Sequence, residues 1–252
     1  MDRTALKLPF TIDRTPEWIC PTCSKGVLRV ERDSLKKQER RASRDHSHEA
    51  WEPEWIEYVY SCLLTCSNDA CREVVSSAGT GRVVYNEYED EHGEWAQAIE
   101  DLFKPKFFEP HLVLLTIPPK CPETIVKPLH DSFALYFSAT GAALNSVRTA
   151  IEELLTELKV PRFNVVKRQR RFINLHQRIA LLPQKYQGLQ DILTAIKWLG
   201  NAGSHANKPP SADDVLNAYE LLEHVLAEVY APKAKHLEAI AKKVNKKKGP
   251  AK

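Results

Sequence analysis

Two kinds of hydrophobic pattern divide the chain. Before residue 104 the apolar positions alternate, or cluster with β-branched and aromatic residues. GVLRVERDS and EWIEYVYSCLLTC show this, and both are expected to be strands. Between them, LKKQERRASRDHSHEAWEPEW is charged and poor in apolar residues, and reads as a long exposed loop. From Leu129 the period changes. FALYFSATGAALNSVRTAIEELLTEL, FINLHQRIALL, GLQDILTAIKWLGNAGSH and PPSADDVLNAYELLEHVLAEVY all carry apolar residues three and four apart, the spacing of helices. Ser211 and Asp214 have the spacing of a capping box after two prolines. Helices on short loops imply an antiparallel bundle. Six prolines lie between 104 and 128. Proline lacks a ladder donor and resists helix, so an extended connector is expected there.

These patterns predict an α+β chain in four parts: a small strand module over 1–103, a connector over 104–128, a helical bundle over 129–232 and a basic tail over 233–252. No apolar run reaches the ~20 residues that span a bilayer, and the N-terminus has no apolar core of signal-peptide length. A cytoplasmic, membrane-free protein is expected. The net charge of +3 says little, but the charge is segregated. Basic clusters fall at 36–44, 167–171 and 242–248, and an acidic run covers 86–101. Such segregation permits a nucleic-acid surface.

Six cysteines in a reducing compartment point to metal or free thiols rather than disulfides. Cys20 and Cys23 form one short-spaced pair and Cys66 and Cys71 another, each at an expected turn with strands between. Four thiolates make a closed tetrahedral site, so the expectation is a zinc ribbon whose zinc is structural. Cys62, four residues before Cys66, is the alternative ligand. Cys66 is preferred because Cys62 sits in an apolar strand. Cys121 is not expected to be a ligand, and His46 and His48 read as solvated loop histidines.

The cysteine pairs, the proline-rich link, SVRTAIEELL, LHQRI and above all IKWLGNAGSH followed by DDVLNAYELLEHVL resemble the domain-of-unknown-function 4145 family over roughly residues 15 to 232. That family resembles the HEPN (higher eukaryotes and prokaryotes nucleotide-binding) helical domains. The resemblance implies a HEPN-like bundle and a place in prokaryotic phage defence or restriction. HEPN ribonucleases use an arginine, often followed by asparagine, and a histidine four to six residues beyond the arginine. They need no metal and commonly share a site across a dimer. In this chain Asn201 and His205 keep the asparagine-to-histidine spacing, Gly200 stands at the arginine position, and the nearest cation is Lys197.

Lys197, Asn201 and His205 lie one helical turn apart on one stripe, interrupted by Gly200 and Gly203. His205 would exchange protons, Lys197 would hold a phosphate and Asn201 would orient either partner. The same stripe equally suits a buried polar network or a helix end, and Arg148 with Glu152 can be an ordinary i, i+4 pair. Lys167, Arg168, Arg170 and Arg171 form an interhelical loop that is either a solvated turn or a phosphate contact.

The leading expectation is a nucleic-acid-associated accessory or effector protein of prokaryotic defence, binding RNA or DNA, with structural zinc and a homodimeric bundle. The first alternative is a metal-independent endoribonuclease using His205. The second is an interaction module docking to a larger nuclease or ATPase of a defence system.

Overall fold

A computed structural model describes residues 2–89, 95–205, 209–231 and 241–246. The chain is a mixed α+β protein, an antiparallel sheet followed by helices. It divides into two compact units. One is Met1–Val113 with Phe133–Ser138; the other is Leu114–Ser132 with Ala139–Lys252.

The first unit holds β1 (Leu28–Val30), β2 (Lys36–Glu39), β3 (Glu57–Cys66), β4 (Val74–Glu89) and β5 (Trp95–Glu109). The sheet order is β1-β3-β4-β5, and β2 shares the β1 edge of β3. Alternation explains β3: Tyr60, Cys62, Leu64 and Cys66 are buried, while Val59, Ser61 and Leu63 are exposed. β4 and β5 form a long hairpin with a bulge at Ala78/Gly79. A Cβ at Gly79 would lie 2.2 Å from the Lys104 carbonyl oxygen, so only glycine lets the strands close there. Pro105 faces that bulge, where a missing N–H disrupts little. An aromatic cluster fills the core. Phe10 packs on Trp18, Tyr60 and Phe103, and Trp18 packs on Phe108. Two polar tips of this cluster are satisfied: Trp18 Nε1 donates to the Ala5 carbonyl at 3.0 Å, and Tyr60 and Ser77 hydroxyls meet at 3.0 Å.

Three expectations change here. The charged stretch read as loop contains β2, which pairs with β3 despite its Lys-Lys-Gln-Glu sequence. An edge strand exposed on both faces carries no apolar alternation to announce it. The stretch read as connector begins with the end of β5, which runs to Glu109. Its last residues belong to α1 (Glu123–Tyr136), with Pro128 inside the helix. The basic run at 167–171, read as a loop, is half of a two-stranded hairpin.

The second unit is built on α2 (Thr140–Glu157), α3 (Leu175–Ala180), α4 (Gln190–His205) and α5 (Ala212–Tyr230), with α2, α4 and α5 packed on one another. Along α2 the buried residues are Ala143, Leu144, Val147, Ala150, Ile151, Leu154 and Leu155, one stripe of a 3.6-residue period. Ser132 donates to the Ala143 carbonyl and shares a hydrogen bond of 2.7 Å with the Tyr219 hydroxyl. The expected capping box is present: the Asp214 N–H donates to Ser211 Oγ at 3.2 Å, and the Ser211 N–H to the Asp214 carboxylate at 2.8 Å. Asn174 and Gln177 form a second box at α3. The hairpin is β6 (Phe163–Val166) with β7 (Gln169–Phe172). Among the described residues no helix is long and apolar enough to cross a membrane. Within the tail, residues 241–246 are helical; the rest lies outside the described residues.

Candidate metal centre and basic hairpin

The two cysteine pairs are set by two turns of similar build. After Cys20 and Cys23 the chain turns at Ser24, with φ of 52°; after Cys71 it turns at Arg72, with φ of 51°. The Ser24 N–H donates to the Cys20 carbonyl, and the Arg72 N–H to the Asn68 carbonyl. Asn68–Cys71 therefore takes the same turn as Cys20–Cys23. Cys66 reaches the cluster from two residues earlier, as the last residue of β3, which explains the longer second spacing. Thr22 ties the turns together by donating to Glu73 at 2.5 Å.

The four sulfurs converge. All lie within 4.8 Å of one another, with Cys20–Cys71 at 3.9 Å and Cys23–Cys66 at 3.7 Å. Metal–sulfur bonds of ~2.3 Å in a tetrahedron place sulfurs about 3.8 Å apart, so the donor set fits a metal ion. A disulfide would need about 2.05 Å. The Gly26 N–H donates to Cys23 Sγ and the Asn68 N–H to Cys66 Sγ, both at 3.4 Å, as thiolate ligands accept. Backbone donors Gly26 and Lys25 lower the Cys23 thiol to about 6, while desolvation pushes Cys66 up to about 12. Without a cation, one thiolate forms readily and its neighbour resists; a metal ion removes that conflict. Gly26 is a residue the sequence reading passed over. A Cβ there would lie 2.5 Å from Cys66 Sγ, so glycine admits the second pair. Cys62 stays outside the cluster, buried in β3, its thiol raised to about 11 by desolvation. Cys121 is likewise apart. His46 pairs with Glu39 at 2.9 Å and stacks on Trp51.

The basic residues form the second feature. Lys167 and Arg168, at φ of 51° and 64°, are the two turn residues of the β6–β7 hairpin. Two positive φ values match the twist of a two-residue hairpin, a position that glycine or asparagine usually fills. Phe163 pairs with Phe172, and the rings meet edge-on at 5.7 Å. The Arg170 guanidinium lies 3.8 Å from the Phe163 centroid. The register puts Phe163, Val165, Arg170 and Phe172 on one face and Arg171 on the other. Both strands are exposed throughout; Val165 is 74% and Phe172 60% exposed. From Leu158 to Gln190 the chain has eight Lys and Arg and no Asp or Glu, so no carboxylate of this segment offsets them.

The polar stripe on α4 is only partly brought together. Asn201 Oδ1 accepts from Arg148 Nη1 of α2 at 2.8 Å, and Arg148 Nε meets Glu152 at 3.4 Å. Gly200 lies against Arg148 and the Leu144 carbonyl, where an added Cβ would make ordinary contacts at 3.5 and 3.6 Å. Lys197 is buried, and its ammonium sits 3.3 Å from the Trp198 ring centroid. His205 ends α4, but its side chain lies outside the described residues.

Residues 132–247 match the family model of a domain of unknown function, DUF4145. Residues 8–108 match a second model, that of a domain of unknown function, DUF8608. The resemblance that the sequence suggested over 15 to 232 thus belongs to the helical half, and the cysteine cluster falls in the DUF8608 segment. No curated protein and no solved structure matches the chain.

Proposed function

We propose that this chain is a nucleic-acid-associated accessory or effector protein of a prokaryotic phage-defence or restriction system, in which the DUF8608 segment is stapled by structural zinc and the DUF4145 segment contacts nucleic acid. The observation that carries the reading is the β6–β7 hairpin. It is an exposed ribbon with cations at its turn and along β7, and exposed phenylalanines beside them. Cations on a ribbon neutralise phosphates, and aromatic faces stack on bases. The place in defence rests on the resemblance of the helical half.

Titration of labelled RNA and DNA against the full chain at several salt concentrations tests this. Lys167→Glu with Arg170→Glu is expected to weaken binding about tenfold or more and to flatten the salt slope by about one to two units. Full affinity in that variant overturns the hairpin as the contact. Elemental analysis is expected to find about one zinc per chain on Cys20, Cys23, Cys66 and Cys71; iron or no metal overturns the zinc assignment.

One observation favours the ribonuclease as a second reading. Position 200 lacks the arginine of the HEPN pattern, yet Arg148 reaches Asn201 from α2 beside that glycine. A guanidinium there would hold a phosphate while His205 moved the proton. RNA cleavage in chelator, lost in both Arg148→Ala and His205→Ala, is the expected sign. Uncut RNA at high enzyme concentration removes this reading. The proposed homodimer is checked by light scattering at micromolar concentration, where a clean monomer mass overturns it.

A further inference from the structure

The sheet of the first unit has a face opposite its aromatic core. Along β3 the core residues alternate with Glu57, Val59, Ser61 and Leu63, all exposed. The register continues this face across the sheet: Glu57 lies beside Arg82, Arg82 beside Leu102, and Thr80 beside Lys104. Arg40, just past β2, joins the row through its N–H to the Glu57 carbonyl. A groove of about 470 Å³ runs over this face from Arg40, past Arg82 and Lys104, to Lys7 in the N-terminal segment. It crosses the strands rather than following one, so its cations come from elements remote in sequence.

The charge is nearly all of one sign. Among the described residues Glu57 is the groove's one carboxylate, and Arg40 engages it at 2.7 Å. Arg82 and Lys104 make no ion pair or side-chain hydrogen bond among the described residues. The same face leaves apolar side chains bare: Val59 is 52% exposed and Phe107, paired with Ala78, 47%. A single small anion needs one or two cations. A row of cations over a partly apolar floor suits a chain of phosphates whose bases lie on the sheet.

We infer that this groove is a binding track for a single nucleic-acid strand, formed by the DUF8608 segment and separate from the β6–β7 hairpin. It shares with the proposed function only the class of ligand. The metal-loaded full chain is titrated with fluorescein-labelled oligouridine. Arg82→Gln with Lys104→Gln is expected to weaken binding several-fold and lower the salt slope by about 1.4 units, since about 0.7 is lost per single-strand phosphate contact and two are removed. Arg82→Glu with Lys104→Glu is expected to weaken it about tenfold or more. Metal content and melting report an intact fold; if the charge reversal melts early, the neutral pair carries the test. Ultraviolet cross-links are expected in the peptide holding Leu102–Phe107. Unchanged affinity and slope in the neutral pair, or cross-links in the hairpin alone, overturn the groove and leave the hairpin reading standing. A hairpin variant that binds fully, beside a groove variant that does not, overturns the hairpin and supports the groove. A duplex that competes as well as oligouridine overturns the single-strand assignment. No oligonucleotide binding at all overturns both.

Discussion

The two units solve the same problem with different materials. The helical unit closes on aliphatic stripes: seven buried residues of α2 repeat at helical spacing, and α5 adds Val215, Leu216, Ala218, Tyr219, Leu222, Val225 and Leu226. Each contact is replaceable by another of similar volume. The strand unit closes on aromatic rings at one end and on four sulfurs at the other. There the fit is fixed by geometry: thiol spacing, two turns at positive φ, and glycines where a Cβ would collide. One unit is expected to tolerate change broadly, and the other to fail at a few points.

The comparison breaks most sharply at the cysteines. Cys66→Ser is expected to lose the metal ion and unfold the strand unit, while the helical signal of the other unit persists. Chelation of the wild type should do the same. Gly26→Ala should weaken metal affinity about 10–100-fold, because its Cβ would press on Cys66 Sγ. Metal titration with circular dichroism checks both. Helix and sheet melting together would show that the metal centre supports the whole chain and would end the contrast.

In the helical unit the nearest counterpart to a fixed point is Arg178. It is almost fully buried, and its guanidinium donates to the Glu152 carbonyl at 3.0 Å, to Thr156 Oγ1 at 2.9 Å and to the Val160 carbonyl at 3.2 Å. It thus ties α3 to the end of α2. Among the described residues no carboxylate forms an ion pair with it, and desolvation lowers its pKa. Arg178→Met fills similar volume but leaves the buried Val160 carbonyl without its guanidinium donor, while Thr156 Oγ1 still donates to the Glu152 carbonyl at 2.9 Å, and should cost ~1–3 kcal/mol by urea denaturation. A neutral result would mean that even this point is replaceable.

Legibility followed the same division. The helices were readable because a 3.6-residue stripe is a local signal, and Ser211 with Asp214 stated where α5 starts. The cysteine cluster was readable because thiols at those spacings have few other uses. β2 was not, since an exposed edge strand needs no apolar alternation, and its pairing is decided by β3. The β6–β7 hairpin was hidden because Lys167-Arg168 fills a turn where Asn-Gly would be the signal. Arg178 and the sheet groove were hidden for another reason. Both depend on which elements meet, and a sequence window holds only one of them. The α4 stripe came out divided, with Asn201 drawn to Arg148 and Lys197 to Trp198.

A smaller effect separates the units by pH. Cys62, buried in β3, has its thiol raised from the ordinary 9.0 to about 11 by desolvation. The folded state favours the protonated form, so this stability is whole below pH 9 and is lost as pH rises toward 11. Cys121 in the other unit is raised to about 11 as well, first by desolvation and then by Glu123. Cys62→Ala should flatten the alkaline decline of the strand unit alone, and Cys121→Ala that of the helical unit alone. Melting curves taken across this range decide it. Equal flattening of both units by either variant would contradict the assignment.

The smallest expected effect is at the start of α5. Ser211 Oγ accepts from the Asp214 N–H, and the Asp214 carboxylate accepts from both the Ser211 N–H and its hydroxyl. The first turn of a helix has four N–H groups with no partner inside the helix, and this box answers one of them while holding the entry of the chain. Asp213 and Asp214 also place negative charge at the positive end of the helix dipole. Ser211→Ala removes one acceptor and leaves the aspartates, so the loss should be ~1 kcal/mol. Ser211→Asp keeps an acceptor at the cap and should restore most of it. The decisive point is where the loss appears. It should lower the melting of the helical unit and leave metal affinity at the cysteines untouched, because no thiol ligand or sheet contact depends on that cap. A fall in metal affinity in Ser211→Ala would mean that the two units are energetically one, and that aliphatic and sulfur closure support each other.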